Sequence, residues 1–461
     1  MGLSTQSTER LREYLAQLPL KSQALLMREF ERALERGENM AVASLVLEQL
    51  RLIVRTSDDN ERARTDEPSR LVFRPLESFL VEGSAALRPG QIRRSSLGPV
   101  WAWLAREGAV AEIQALEALR TGGPAVDQAV RKVQIAATAA MDQIVSPAGR
   151  GDQRALSRIG GPSVVEDLVS IAAVLKNREP LEAFGTRTSS SIRNLNDTQL
   201  AAVQSVINLP SLQTPQTLPF TLSLLMQRLA SPWQVIRLAV AVAGSDDEIR
   251  VAATTYGVAV SMVIHDLSEM VADLRQDIKQ GRMDSLSHHL KTIHDGLRGL
   301  RAELDIRTES SWGKRLSAIR VDISNTLKSE IEGVPGRVRR LLRPRPDKDI
   351  HAGSKLDPTE IDETAALIDF VAICRTYASE LAINEVTLRT FSDLQHYTEA
   401  STEALVESLR ASDSKTRPFR KMQMDTAIRF CDLLFGNDYA SLMRKAADVA
   451  LSGERKSSRT G

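Results

Sequence analysis

The chain has 461 residues, enough for more than one hydrophobic core, and its 42% apolar and 26% charged content is that of a folding sequence rather than a disordered one. Sixty Lys and Arg balance fifty-nine Asp and Glu, which excludes a global electrostatic pull toward nucleic acid or an anionic membrane and leaves only local charge to consider. Aromatic residues make up 4%, and the two cysteines, Cys374 and Cys431, fall inside apolar-periodic segments, so composition favours helix over strand and a reducing, cytoplasmic setting over a disulfide framework.

Met1 to Gln6 has no basic stretch leading into an apolar one, so no secretory leader is expected, and Gln6 stands where a myristoylation signal needs Ser or Thr. Residues 1–56 then read as a first helical segment. Leu11, Leu15 and Leu18 run to Pro19; Leu25, Leu26, Phe30 and Leu34 run to Gly37; Val42, Leu45, Val46, Leu50 and Ile53 follow. A polar stretch leads to a second segment, 71–146. There Trp101 and Trp103 stand two apart, so on a helix one packs inward and the other meets a neighbouring segment.

Residues 163–332 form a central bundle in this reading. Ser163-Val164-Val165-Glu166, Ser231-Pro232-Trp233-Gln234 and Ser245-Asp246-Asp247-Glu248 each fit a capping box, and Gly244 closes the helix begun at Pro232. Val251 to Ile264 reads as a buried helix, too short for the roughly twenty residues that span a bilayer. Leu267, Val271, Leu274 and Ile278, then Leu286, Leu290, Ile293, Leu297, Leu300 and Leu304, alternate steps of four and three. Gly281 between them makes this a helical hairpin. A third stripe, Trp312, Leu316, Ile319, Ile323, Leu327 and Ile331, ends on this reading at Gly333-Val334-Pro335-Gly336, which opens a basic linker, 333–355.

Beyond the linker, Asp357-Pro358-Thr359-Glu360 starts a C-terminal bundle, 356–451, with Asp as cap, Pro at the first helical position and Glu two residues on; residues 452–461 are tail. The fold class is therefore all-α: a multi-segment helical bundle, or an irregular stack of antiparallel helix pairs, with long amphipathic helices within 245–332.

Chemistry is sparse. No phosphate-binding loop or nucleophile elbow occurs, and neither Arg150-Gly151-Asp152 nor the Ser-x-x-Lys at Ser311 has the context its motif needs. Four of the six histidines, His265, His288, His289 and His294, fall in the predicted hairpin. No pair has the i, i+4 spacing of helical zinc sites, but Asp284 and His288 do and could share a face. A helical enzyme or metal-binding protein would use His265, His288 and His294 with Asp284; otherwise these side chains flank the leucine stripe. No cofactor is expected.

The most distinctive polar feature is Gly336 to Lys348, where Arg337, Arg339, Arg340, Arg343, Arg345 and Lys348 oppose a lone Asp347. Arginine suits carboxylate and phosphate contacts, and the acidic stretch from Asp357 to Glu363 lies near enough in sequence to neutralise the run. The run has no aromatic residue for base stacking, and Val338, Leu341 and Leu342 form too short an edge for membrane insertion. The leading expectation is a non-catalytic interaction or scaffold protein that binds another protein or a second copy of itself. The alternative is a peripheral adaptor meeting an anionic surface through 337–345.

Overall fold

The computed structural model describes Leu15, Leu26 and Val46 singly and residues 67–452, apart from 84–85, 120–122, 147–152, 283–284 and 352. The expected helices of 1–56 lie outside the described residues except at those three positions, as do Arg150-Gly151-Asp152, Asp284 and the tail from 453. The described residues form an all-α protein. Contacts divide the chain into two compact units, 1–87 with 91–182 and 88–90 with 183–461.

The described part of the first unit contains α1 (Pro68–Phe73), β1 (Leu80–Val81), β2 (Ile92–Arg93), α2 (Leu97–Trp103), α3 (Val110–Glu117), α4 (Pro124–Val145), α5 (Gln153–Ile159) and α6 (Pro162–Lys176). The two short strands pair in parallel, Leu80 opposite Ile92, and α4 packs against α6. Phe73, Leu76, Trp103, Met141, Leu168 and Ile171 are buried, while Trp101 stands edge-on to Phe73 with ring centroids 6.0 Å apart. The two tryptophans thus divide inward and sideways. Buried Asp167 of α6 accepts from Ser96 Oγ at 2.6 Å and from Arg93 Nη1 at 3.0 Å, which fixes β2 and the start of α2 on that helix. The cap expected at Ser163 is displaced: α6 opens at Pro162 with Gly161 before it, because the fixed φ of proline suits the first helical position and draws Ser163 inside.

Helix α7 (Arg178–Arg187) spans the division at 182. The second unit continues with α8 (Asp197–Ile207), α9 (Leu218–Met226), α10 (Ile236–Ala243), α11 (Glu248–Ala252), α12 (Val258–Lys279), α13 (Leu286–Glu303) and α14 (Ser311–Leu342). Helix α9 is buried nearly all round, as an apolar helix without a polar stripe must be. Against it lies Gly90, at φ +83°, where a Cβ would stand 2.4 Å from the Pro219 carbonyl oxygen, so a side chain is excluded on both counts.

Two more of the expected capping boxes do not form and one apolar run is broken. At Ser231 the helix opens as a 3-10 turn, Pro232–Val235, and Gln234 turns away to accept the Leu195 amide at 2.6 Å instead of reaching back to its cap. Before α11 the cap is Asp247, which accepts from the Ile249 and Arg250 amides; Ser245 instead accepts the Asp247 amide. Val251 to Ile264 is not one helix, because α11 stops at Ala252 and a 3-10 turn at Thr255–Gly257 precedes α12. The Thr254 hydroxyl donates to the Val251 carbonyl at 2.8 Å, offering the backbone a local alternative to the helix.

The hairpin forms as the spacing predicts. Gly281, at φ +68°, turns the chain between α12 and α13, and Leu286, Leu290, Ile293, Leu297, Leu300 and Leu304 are all buried. Gly296 and Gly299 let α13 approach closely: a Cβ on the first would meet Leu267 at 2.7 Å, and on the second the Trp233 ring at 2.4 Å.

Helix α14 corrects the linker expected at 333–355. It runs unbroken from Ser311 through Gly333, Pro335 and Gly336 to Leu342. The reason is that four-three spacing does not stop at Ile331: Val334, Val338, Leu341 and Leu342 are buried in the same stripe. Two glycines at about 1 kcal/mol each and one proline at about 3 cost the helix roughly 5 kcal/mol. Burying four large aliphatic side chains contributes about 6 to 12. Burial wins.

The C-terminal helices are α15 (Pro358–Tyr377), α16 (Asn384–Arg410), α17 (Arg417–Phe435) and α18 (Asn437–Ser452). Asp357 caps α15 by accepting the Thr359 amide at 3.0 Å, with Pro358 first in the helix, and Gly436 at φ +88° closes α17. The buried face of α16 is half polar, carrying Thr387, Thr390, Thr398, Ser401 and Thr402 among its apolar residues. Thr402 donates to the Thr398 carbonyl at 2.6 Å and so takes its hydrogen bond from its own helix. Among the described residues no helix is long and apolar enough to cross a membrane.

Glycine substitutions separate these environments. Gly333→Ala and Gly336→Ala, which have open space at the added methyl, should each stabilise the protein by about 0.5–1 kcal/mol in urea unfolding. Gly299→Ala, against the Trp233 ring, should destabilise it by about 1–3 kcal/mol. A neutral or destabilising Gly333→Ala would contradict a continuous α14.

Candidate functional site: the basic end of the long helix

The arginine run occupies the last two turns of α14 and the segment after it. Arg337 pairs with Glu363 at 3.1 Å and Arg340 with Glu360 at 3.1 Å. Positions rise in α14 as they fall in α15, so those two helices are antiparallel and the acidic first turns of α15 lie along the basic last turns of α14. Arg339 lies over the Tyr397 ring of α16 at 5.5 Å, and Arg345 over the Phe419 ring of α17 at 5.0 Å. Cations here also suit the negative end of the helix dipole.

Underneath lies a layer that the sequence reading did not single out. Gln423 of α17, fully buried, donates through Nε2 to the carbonyls of Leu341 at 3.2 Å and Arg343 at 3.1 Å, which the end of a helix leaves without intrahelical donors. Its Oε1 is buried with no protein partner. One turn earlier, Arg420 is 5% exposed and donates through one Nη to the Arg345 carbonyl and to Asp347 Oδ1, the latter at 2.9 Å. Its Nε and other Nη are buried without a protein partner. The available signal was two polar residues, Arg420 and Gln423, at i and i+3 inside the buried stripe of Phe419, Met424 and Ala427.

Outside this layer Arg343 and Lys348 are exposed and, among the described residues, neither is ion-paired. The run therefore divides three ways. Arg337 and Arg340 are neutralised by α15, Arg339 and Arg345 rest on aromatic rings, and Arg343 and Lys348 face water.

The histidines receive different neighbours. His288 is exposed; His289 is part-buried, with Nδ1 3.4 Å from Asp277; His294 lies 3.1 Å from Asp295 and 5.1 Å from the Tyr377 ring; His265 has a buried Nδ1 with no protein partner. The pairing of His288 with Asp284 lies outside the described residues. Among the described residues no three His, Cys, Asp or Glu side chains are placed to hold a metal ion. Asp277 instead organises the turn. The Ser285 hydroxyl first, and then Arg282, donate to it and hold its carboxyl below the usual carboxylate range.

Two further polar groups are tied into the helix packing. Arg88 donates to Asp266 Oδ2 at 3.0 Å and to Ser223 Oγ at 3.2 Å, while burial pushes the Asp266 carboxyl up against that attraction. Burial likewise pushes the Cys374 and Cys431 thiols up, away from the reactive thiolate. On α18 the pattern inverts: Ala440, Ala447 and Ala450 face inward, while Leu442 and Val449 are 58% and 64% exposed.

No family model, no curated protein and no solved structure matches the chain.

The Asp277 turn has a pH signature. Because its carboxyl is held low in the folded state, its contribution is present above the ordinary Asp value of about 4 and is lost as pH falls through the lower, folded value. Asp277→Asn should therefore lower the urea midpoint at neutral pH and flatten its decline between about pH 5 and pH 3. An unchanged slope would show that the turn does not carry that linkage.

Proposed function

We propose that the chain is a non-catalytic helical interaction protein that docks an acidic protein segment on the basic end of α14. The carrying observation is the incomplete neutralisation of the arginine run: two cations, Arg343 and Lys348, stay exposed and unpaired beside arginines already committed to carboxylates and rings. Arginine beside an aromatic surface favours planar carboxylates, and the ring positions near it, Phe419 and Tyr397, are already covered by Arg345 and Arg339 rather than open for base stacking. The outward Leu442 and Val449 of α18 also favour a protein among the partners of this chain.

The test is fluorescence anisotropy with a fluorescein-labelled octaglutamate peptide at low and physiological salt, alongside vesicles containing phosphatidylserine and a single-stranded RNA. The peptide should bind, weaken steeply with salt, and lose about tenfold in affinity when Arg343 and Lys348 are both changed to Glu. Absence of peptide binding, insensitivity to the double reversal, or stronger binding to vesicles or RNA would overturn this reading.

A further inference from the structure

Arg420 is the one guanidinium of this region that lies beneath the surface, and its bonding is unfinished. A guanidinium presents five donors in a planar fork that fits both oxygens of a carboxylate. Arg420 gives a single Nη to the Arg345 carbonyl and to one oxygen of Asp347, and its Nε and second Nη are buried with no protein partner. Asp347, by contrast, is a surface residue. Its side chain is 74% exposed, and the 3-10 turn that carries it, Asp347–Asp349, contains no buried residue. Asp347 can therefore turn toward water without drawing a buried residue of its own turn out with it.

The surroundings favour a negative charge at this position from any source. Arg343 and Lys348 are exposed and unpaired, and Arg345 is held beside the site by the ring of Phe419, the residue next to Arg420. Gln423, one turn further along α17, fixes the Leu341 and Arg343 carbonyls and so sets the position of the chain that leads to Asp347. A buried cation, an exposed carboxylate that binds it through one oxygen, and exposed cations on the same segment as that carboxylate together describe a binding position with an internal occupant.

We infer that Arg420 is the centre of a carboxylate-binding site and that Asp347 is its intramolecular stand-in, displaced when an Asp or Glu side chain of an acidic partner enters. This rests on the reading of the α14 end as a docking surface for an acidic segment, and it adds the residue that recognises the carboxylate and the contact that holds the site closed. An internal competitor lowers apparent affinity by the fraction of molecules in which it has let go, so removing it should strengthen binding without any new contact.

The experiment uses the full chain and the same labelled octaglutamate peptide. Asp347→Asn keeps the size of the side chain and removes its charge; it should tighten binding about fivefold. Asp349→Asn removes the same charge two residues away, where no contact with Arg420 exists, and should change affinity by less than about twofold. Arg420→Lys, which keeps the charge but not the fork, should cancel the gain in the Asp347→Asn background while leaving the unfolding temperature near that of the parent. Equal effects of the two Asn substitutions, or a gain that survives Arg420→Lys, would overturn the inference while peptide binding by the unaltered chain still upheld the docking surface. Failure of both the unaltered chain and Asp347→Asn to bind would instead sink the docking surface itself. Inorganic phosphate at ten millimolar should compete weakly in Asp347→Asn; full displacement of the peptide would reassign the site from carboxylates to phosphates.

Discussion

The carbonyls that end a long helix must find donors, and in α14 they end inside the bundle rather than in water. Leaving a buried carbonyl unmet costs about 1–3 kcal/mol, and α14 brings Leu341 and Arg343 to α17 with none of their own helix left to serve them. Gln423 meets both with one amide. That requirement explains an otherwise odd choice, a fully buried glutamine in an apolar stripe, and Arg420, one turn away, takes the Arg345 carbonyl. The position of the basic segment, the approach of α15 along α14, and the seat of Asp347 all follow from where this helix end is held.

The rest of the second unit repeats the principle with smaller groups. Helix α16 carries threonine where a bundle helix ordinarily carries leucine, and Thr402 turns its hydroxyl to a carbonyl four residues back. Thr364 of α15 and Thr426 of α17 do the same, to Glu360 at 2.7 Å and Met422 at 2.9 Å. A β-branched side chain that satisfies its own hydroxyl presents only its methyl group to neighbours, so Thr364, Thr402 and Thr426 allow close packing, whereas the buried hydroxyls of Thr387 and Thr398 on α16 have no protein partner. The small inward residues of α18, Ala440, Ala447 and Ala450, serve the same close packing from the other side.

How far the sequence reveals this depends on whether a feature is periodic or relational. The leucine stripe from Leu286 to Leu304, the turn at Gly281 and the cap at Asp357 are legible because each is set by residues a few positions apart. The continuation of α14 was legible too, in Val334, Val338 and Leu341, but Gly333, Pro335 and Gly336 are local helix breakers and mask it; only the magnitude of burial decides between them. The shifted caps teach a related lesson. Gln234 leaves its expected role because Leu195, distant in sequence, needs an acceptor, and no local rule contains that need. Arg420 and Gln423 are relational in the same sense. Their partners lie roughly eighty residues earlier in the chain, so the sequence shows two polar residues on a buried face and not what they hold.

The division of the arginine run is then a matter of geometry rather than composition. An α-helix distributes successive residues by 100° steps, so its three arginines Arg337, Arg339 and Arg340 cannot all face one neighbour, and Arg343 and Arg345 lie beyond the helix end. Arg337 and Arg340, three apart, share the face toward α15; Arg339 points to α16; Arg343 follows the end of the helix, where no element is left to receive it. A purely structural role would be complete with the pairs made by Arg337 and Arg340, since exposed pairs stabilise by about 1 kcal/mol or less and further cations add little to the fold. The surplus charge at Arg343 and Lys348 does, however, raise the local potential just where a buried guanidinium holds a carboxylate by one oxygen. In the docking proposed above, surface cations of this kind would act on the encounter of a charged partner and the buried one would hold what stays bound. The two layers are thus complementary: the fold fixes Arg420 from below through α17, and the open end of α14 supplies the field above it.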